Sequence, residues 1–295
     1  MMKRLDKTEI AFKLVSYGLL TIFALACLYP LIYVLSGSFS STTPVDQGKV
    51  VLWPVWGEGE NGFKAYEFVF TSSYSKLFWL SYCNAFFVTM YGTLVSMIVG
   101  ICGAYALSKP RLMFGRGFNF MLVFTMWFNA GMIPTYNNFK VFQVNNIYMF
   151  IIALGFNAFN IILLRNYFSG IPTEIEEAAT IDGATEFQIL TKVYIPMSKS
   201  SIITVAMFYA VARWNGYLWA QMLLDDKYQW PLTLFIRQQV DSIADDIELN
   251  PNAYDFSAYG LRYAYIVLSI IPIIVVYPML QKYFAAGVNV GGVKE

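Results

Sequence analysis

The chain has 295 residues, 57% of them hydrophobic and 13% charged, with 20 basic and 19 acidic side chains and no histidine. Soluble domains average about 25% charge, and a near-neutral chain offers no basic surface for nucleic acid. Without imidazole it also lacks the usual base for a Ser or Cys nucleophile and the commonest zinc ligand.

The N-terminal MMKRLDKTEIAFK is basic like the start of a signal peptide, but the apolar run that follows is too long for one and has no small-residue cleavage site. Residues 1–13 therefore read as a cytoplasmic N-terminus and residues 14–36 as a retained first span. Three further blocks, Leu77 to Ser108, Gly117 to Phe139 and Val141 to Leu164, hold no charged side chain. Each exceeds the ~20 residues a helix needs to cross the hydrocarbon. With later runs included, spans are expected at about 14–36, 80–107, 118–137, 145–167, 200–222 and 262–284. The fold class is all-α: a polytopic membrane protein of six transmembrane helices, with residues 14–284 as one transmembrane domain and 285–295 as a cytoplasmic tail. Cys27, Cys83 and Cys102 lie singly in apolar segments and read as packing residues.

Lys and Arg in short loops set orientation. Lys3, Arg4, Lys7 and Lys13 precede span one; Lys109, Arg111 and Arg116 follow span two; Arg165, Lys192 and Lys199 lie between spans four and five; Lys282 and Lys294 close the chain. All fall on one side, which places both termini and the insert after span four in the cytoplasm. Of the two long outer connections, 37–79 and 223–261, the second is acidic, with Asp225, Asp226, Asp241, Asp245, Asp246, Glu248 and Asp255. Either it docks a partner or it shows the ordinary depletion of Lys and Arg in exported loops. Pro30, Pro134, Pro272 and Pro278 mark tolerated kinks within apolar helices.

The insert runs SGIPTEIEEAATIDGATEFQILTKVYIP. Pro172 suits the first helical position, and Glu174, Glu176 and Glu177 complement the positive end of the helix dipole. Ala178 and Ala179 are small, so another surface can come close. Asp182-Gly183 breaks the helix, with Asp able to cap the next one. A second helix is expected over Ala184–Ile195, with the helix-turn-helix spanning 172–195 in all, Phe187, Leu190 and Tyr194 as one apolar stripe and Pro196 as its end. Its acidic start suits a protein partner better than anionic lipid.

This insert resembles the mark shared by the membrane-spanning subunits of ATP-driven importers that depend on a substrate-binding protein: Glu-Ala-Ala, three residues, Gly, nine residues, then Ile-x-Leu-Pro. Here it stands as Glu177-Ala178-Ala179, Gly183 and Val193-Tyr194-Ile195-Pro196. Asp182-Gly183-Ala184, Gly131-Met132-Ile133-Pro134, Trp214-Asn215-Gly216-Tyr217-Leu218-Trp219 and Tyr283-Phe284-Ala285-Ala286-Gly287 are similar to the carbohydrate branch, the maltose-type permeases. The stretch CLYPLIYVLSGSFSS looks like the group importing complex oligosaccharides, including uronate-containing ones. The resemblance implies that Glu176, Glu177, Ala178, Ala179, Asp182, Gly183 and Ala184 form a coupling-helix pair seated on a cytoplasmic ATPase. It further implies two copies of that ATPase, which hold ATP and magnesium, a second homologous permease in a heterodimer, an extracytoplasmic binding protein, and a place in the bacterial inner membrane. The chain has no GxxxxGK[ST] phosphate loop, so no cofactor is expected on it directly.

For the substrate path the candidates are Arg213, an ionised group at membrane depth, with Trp214, Asn215 and Tyr217 beside it and Trp127 and Asn129 in span three. Arg213 is equally suited to bond a carbonyl freed by a kink, and the aromatics to packing. A self-contained secondary transporter or channel is the rival function. It calls for acidic proton or sodium sites in the spans, and none of the six expected spans contains Asp or Glu.

Overall fold

A computed structural model of the chain describes residues 7–250 and 255–289. Lys3, Arg4, Lys294 and the end of the tail lie outside the described residues. Among those described, the regular structure is entirely helical. The principal helices are α1 (Lys7–Ser38), α2 (Ser75–Ser108), α3 (Gly115–Trp127), α4 (Met132–Val141), α5 (Ile147–Ala153), α6 (Ala158–Ser169) and α7 (Thr173–Ile181). They continue with α8 (Glu186–Met197), α9 (Lys199–Asn215), α10 (Tyr217–Leu223), α11 (Asp241–Leu249) and α12 (Ala258–Asn289).

Among the described residues, three helices are long and apolar enough to cross a membrane, within α1, α2 and α12. α1 starts inside the segment expected as the N-terminus, and none of its most apolar window is buried within the chain. The other expected spans are broken. Residues 118–137 do not form one helix: α3 ends at Trp127, Asn129 Oδ1 accepts from Gly131 N at 2.9 Å, and α4 starts at Met132. Residues 145–167 divide into α5 and α6, bent by 52°. Each piece has its own asparagine cap, Asn146 accepting from the amides of Tyr148 and Met149, and Asn157 from that of Asn160. Residues 200–222 are interrupted at Gly216, between α9 and α10. The cysteines are free and sit on exposed helix faces of the chain.

The chain divides into two compact units, one of residues 1–76 and 236–271, the other of 77–235 and 272–295. In the first, the turn after α1 is tied to the following strand-like segment by buried serines: Ser36 Oγ donates to Leu52 O at 2.6 Å, while Ser40 Oγ and Ser41 Oγ accept from the amides of Val55 and Gly57. Asp241 and Asp255 of the acidic connection pair internally with Arg262 and Lys64, both at 3.5 Å. The second unit holds two apolar cores. One gathers Ala104 and Tyr105 of α2, Leu122 of α3, Leu164 and Phe168 of α6, Ile189 and Tyr194 of α8 and Val205 of α9. The other packs Val88 of α2 and Phe150 and Ile151 of α5 against Ala220 and Leu223 of α10.

Candidate functional site

The expected helix-turn-helix is present as α7 and α8. Pro172 lies just outside α7, as its N-terminal flank with an extended ψ of 133°, so the first helical residue is Thr173. Gly183 makes the turn at φ +82°, a left-handed angle that costs any residue with a Cβ. Asp182 is the last flank of α7, not the cap of the next helix. That cap is Thr185: its Oγ1 accepts from Gln188 N while Gln188 Oε1 accepts from Thr185 N, a reciprocal capping box. α8 does not stop at Pro196. A five-residue π turn, Leu190–Tyr194, precedes the proline, and the helix runs to Met197 before the chain bends by 86° into α9. A proline ring crowds the carbonyl four residues back, and the wider π turn opens that part of the helix.

The π turn also moves the apolar face. Ile189, Leu190 and Tyr194 are buried, whereas Phe187, expected in the stripe, is 73% exposed. Ile181, at the end of α7, is 86% exposed. Glu177, Ala178, Asp182 and Gly183 are exposed as well, while Ala179 and Ala184 pack partly against the core. The tip of the hairpin therefore presents small, acidic and apolar groups outward from a base fixed in the core.

Glu176 behaves differently from Glu177. Its carboxylate accepts from Lys109 Nζ at 2.6 Å and from Tyr194 Oη at 2.6 Å on one oxygen, and from Arg111 at 3.3 Å on the other. Lys109 is itself buried, its ammonium over the rings of Tyr105 and Tyr194 at 4.1 and 4.0 Å from their centroids. Arg111 also pairs with Glu186, which accepts from Tyr105 Oη at 2.7 Å. Burial alone would raise the Glu176 carboxyl. The hydrogen bonds from Lys109 and Tyr194 and the charges of Lys109 and Arg111 outweigh it and hold the pKa below the ordinary value. The same carboxylate, after burial, pushes the Tyr194 phenol upward. The end of α2, α7 and α8 thus form one clamp, and Arg165 of α6 adds a bond to Leu107 O at 3.3 Å. Lys109, Arg111, Tyr105 and Glu186 were not among the expected site residues. The one hint was a Lys-Pro-Arg run placed on the same side as the glutamate-rich insert.

A second feature lies deeper. Arg213, near the end of α9, is 8% exposed. Its Nη2 donates to Ser96 Oγ at 3.1 Å and to Ile151 O at 3.0 Å, while Nε and Nη1 have no partner. Ile151 belongs to the last turn of α5, whose final carbonyls lose their helical partners at the break. Gly92 of α2 makes room: a Cβ there would stand 2.5 Å from Arg213 Cδ, Nε and Cζ. Arg213 is among the residues lining a cavity of about 400 Å³, with Asn157, Asn160 and Tyr209.

The insert's seven expected coupling residues come together on one hairpin. The expected path residues do not converge on the cavity, which includes only Arg213. Trp214 is buried edge-on against Tyr82 and Phe86. Asn215 is exposed and donates to Val211 O, Tyr217 is half-buried, and Trp127 and Asn129 are exposed at the α3–α4 break.

Residues 7–290 match the family described as binding-protein-dependent transport system inner membrane component. The chain is 36% identical to the polygalacturonan/rhamnogalacturonan transport system permease protein YtcP of Bacillus subtilis over 96% of this chain and 98% of that one. With the arabinooligosaccharides transport system permease protein AraQ of Halalkalibacterium halodurans it shares 27% identity, over 92% of each. A solved chain of a bacterial transporter importing the acidic polysaccharide alginate is similar at 42% identity and a TM-score of 0.84, covering 96% of this chain and all of that one.

Proposed function

The chain belongs to the binding-protein-dependent transport system inner membrane components, and on that premise we propose that it carries an acidic oligosaccharide across the cytoplasmic membrane by alternating access. It is the permease subunit of an ATP-binding-cassette importer, a transport component and not an enzyme, and not a self-contained transporter or channel. The saccharide class comes from its relatives, a pectin-type permease and an alginate importer. The assembly we infer joins this chain to a second, homologous permease, two ATPase subunits that bind ATP and magnesium, and an extracytoplasmic binding protein. Six spans, three of them broken, with both termini and the α7–α8 hairpin in the cytoplasm, suit the distribution of Lys and Arg.

The clamp is the observation that carries the reading. A hairpin whose base is buried and ion-paired, and whose tip is exposed, transmits force instead of bending. Glu177 and Asp182 supply polar anchors for the ATPase, Ala178 lets it approach closely, and Gly183 shapes the turn. Glu176, Ala179 and Ala184 serve inward, holding the hairpin to the core. Beyond it, Trp127, Asn129, Asn215 and Tyr217 line the sugar route as polar and aromatic groups at helix breaks, Arg213 borders it, and Trp214 supports it by packing.

Co-expression with the candidate ATPase tests this. The detergent-solubilised chain should capture the ATPase, and Glu177→Lys or Gly183→Val should weaken capture at least tenfold without lowering the amount of folded chain. Capture indifferent to both changes refutes the coupling role. Uptake of labelled galacturonate oligomers that is unaltered in cells lacking the chain refutes the substrate class.

A further inference from the structure

The apolar run of α1 from Leu14 to Leu35 rises about 33 Å, close to the ~30 Å of hydrocarbon it has to cross. The polar turn that follows Leu35 therefore marks a membrane–water boundary. Beyond it the chain makes a short loop and comes back alongside the end of α1. Ser36 Oγ donates to Leu52 O at 2.6 Å, Val55 N to Ser40 Oγ at 3.0 Å and Gly57 N to Ser41 Oγ at 2.7 Å. Ser41 N donates to Val55 O at 3.1 Å, and the Trp56 indole N–H to Phe39 O at 2.8 Å. Residues 52–57 thus run parallel to residues 36–41, with Leu52 level with the last turn of α1 and Gly57 furthest from the hydrocarbon.

The polarity of the segment follows that register. Val50 is buried, whereas Val51, Leu52 and Trp53 are 53%, 45% and 79% exposed and Trp56 is 61% exposed. No charged side chain stands between Lys49 and Glu58, and Glu58 is exposed at the outer end. The apolar end of the strip therefore lies at the boundary and its polar end faces water. A protein docking from above the membrane would call for the opposite gradient. Tyrosines ring the same level: Tyr33 meets Tyr263 edge-on at 5.8 Å between centroids, Tyr263 packs directly on Gly37, and Tyr29 and Tyr259 are about half exposed. Trp and Tyr gather at headgroup depth because each joins an apolar ring to a polar tip. Trp56 meets that description, with its N–H satisfied by Phe39 O and its ring left open.

We propose that residues 51–56 form a ledge in the membrane interface, seated on the headgroup and upper acyl region of outer-leaflet phospholipid. Lipid is the occupant because the ledge continues the surface of α1, none of whose most apolar window is buried within the chain. With no charge between Lys49 and Glu58, the ledge needs no anionic headgroup. Tied by five hydrogen bonds to the end of α1, it fixes the depth of that helix: inward movement would draw Glu58 toward hydrocarbon, and outward movement would bare Trp53 to water. The proposal goes beyond the transport reading and takes from it only the orientation, which names the leaflet.

The test uses the complete transporter in phosphatidylcholine vesicles, with its native cysteines replaced by alanine. Leu52→Cys and Glu58→Cys each carry a nitroxide label, and both tryptophans stay in place. Collision with oxygen, which concentrates in lipid, should exceed collision with a water-soluble nickel chelate roughly threefold at position 52, and the order should reverse at position 58. Phosphatidylcholine brominated just below the headgroup should quench a larger fraction of the tryptophan fluorescence in the wild type than in Trp53→Phe. A label at 52 dominated by the chelate puts the ledge in water, and one shielded from both colliders puts it against a protein. Either result overturns the proposal, as does equal fractional quenching in wild type and Trp53→Phe. A membrane-impermeant maleimide applied to Glu58→Cys in sealed, right-side-out vesicles reads the side. Labelling supports the outer leaflet; its absence overturns the leaflet and the orientation beneath it, while the collision data still decide the depth.

Discussion

Lys109→Met should partly uncouple ATP hydrolysis from import. The methionine keeps the apolar stem between the Tyr105 and Tyr194 rings but removes the ammonium that donates to Glu176. The two side chains are 7% and 16% exposed, so the pair is largely desolvated. Removing one member of a buried pair costs about 3–5 kcal/mol when the other is stranded. Glu176 is not stranded, since Tyr194 and Arg111 still donate to it, and methionine regains some packing against the rings. A net weakening of about 2 kcal/mol follows, which makes detachment of α7 from the 109–111 turn roughly thirty times more frequent. The assay is sugar imported per ATP hydrolysed by the reconstituted transporter. Basal hydrolysis should persist while that ratio drops several-fold. An unchanged ratio in Lys109→Met would refute the clamp as a transmitting element.

Three further outcomes are expected. Gly183→Ala forces a Cβ into a backbone at φ +82° with open space around it, so the cost is conformational, about 1–2 kcal/mol, and should appear as weaker ATPase capture with little change in the folding of the core. Gly92→Ala places a methyl 2.5 Å from the Arg213 guanidinium, and should lower the melting temperature of the solubilised complex more than Gly103→Ala, where the nearest atom is at 3.9 Å. Because Glu176 is held below its ordinary pKa, its contribution is complete above the unfolded value of about 4.3 and fades as pH falls through the folded one. Acid titration of complex stability should therefore be shallower in Glu176→Gln than in wild type below about pH 4, with the two parallel near neutrality.

The coupling hairpin could be read from sequence because its signals are local. Gly183, the small Ala178 and Ala179 and the glutamates opening α7 act within a few residues of themselves. The breaks within the apolar runs could not, because Trp127 to Met132 and Leu154 to Asn157 are as greasy as an unbroken helix. Asn129 with Gly131 at the first and Gly155 with Asn157 at the second distinguish them, and an asparagine in a span reads equally well as an interhelical bond. The misplaced stripe has a similar cause: a 3.6-residue period puts Phe187 with Leu190 and Tyr194, but the π turn shifts the phase and brings Ile189 inward instead. The inward role of Glu176 depends on Lys109, 67 residues away, a separation no local pattern encodes.

The 86° bend between α8 and α9 makes the two helices a crank. α8 is an arm of about 18 Å at a rise of 1.5 Å per residue, set across the axis of α9. A sideways push of about 3 Å at its tip turns α9 about its own axis by roughly 10°, and a side chain about 6 Å from that axis sweeps through about 1 Å. Arg213 rides on that shaft, and a shift of that size is enough to loosen its 3.0 Å bond to Ile151 O. A rotation too small to move a whole span would thus be felt at the guanidinium, at the far end of the shaft from the hairpin.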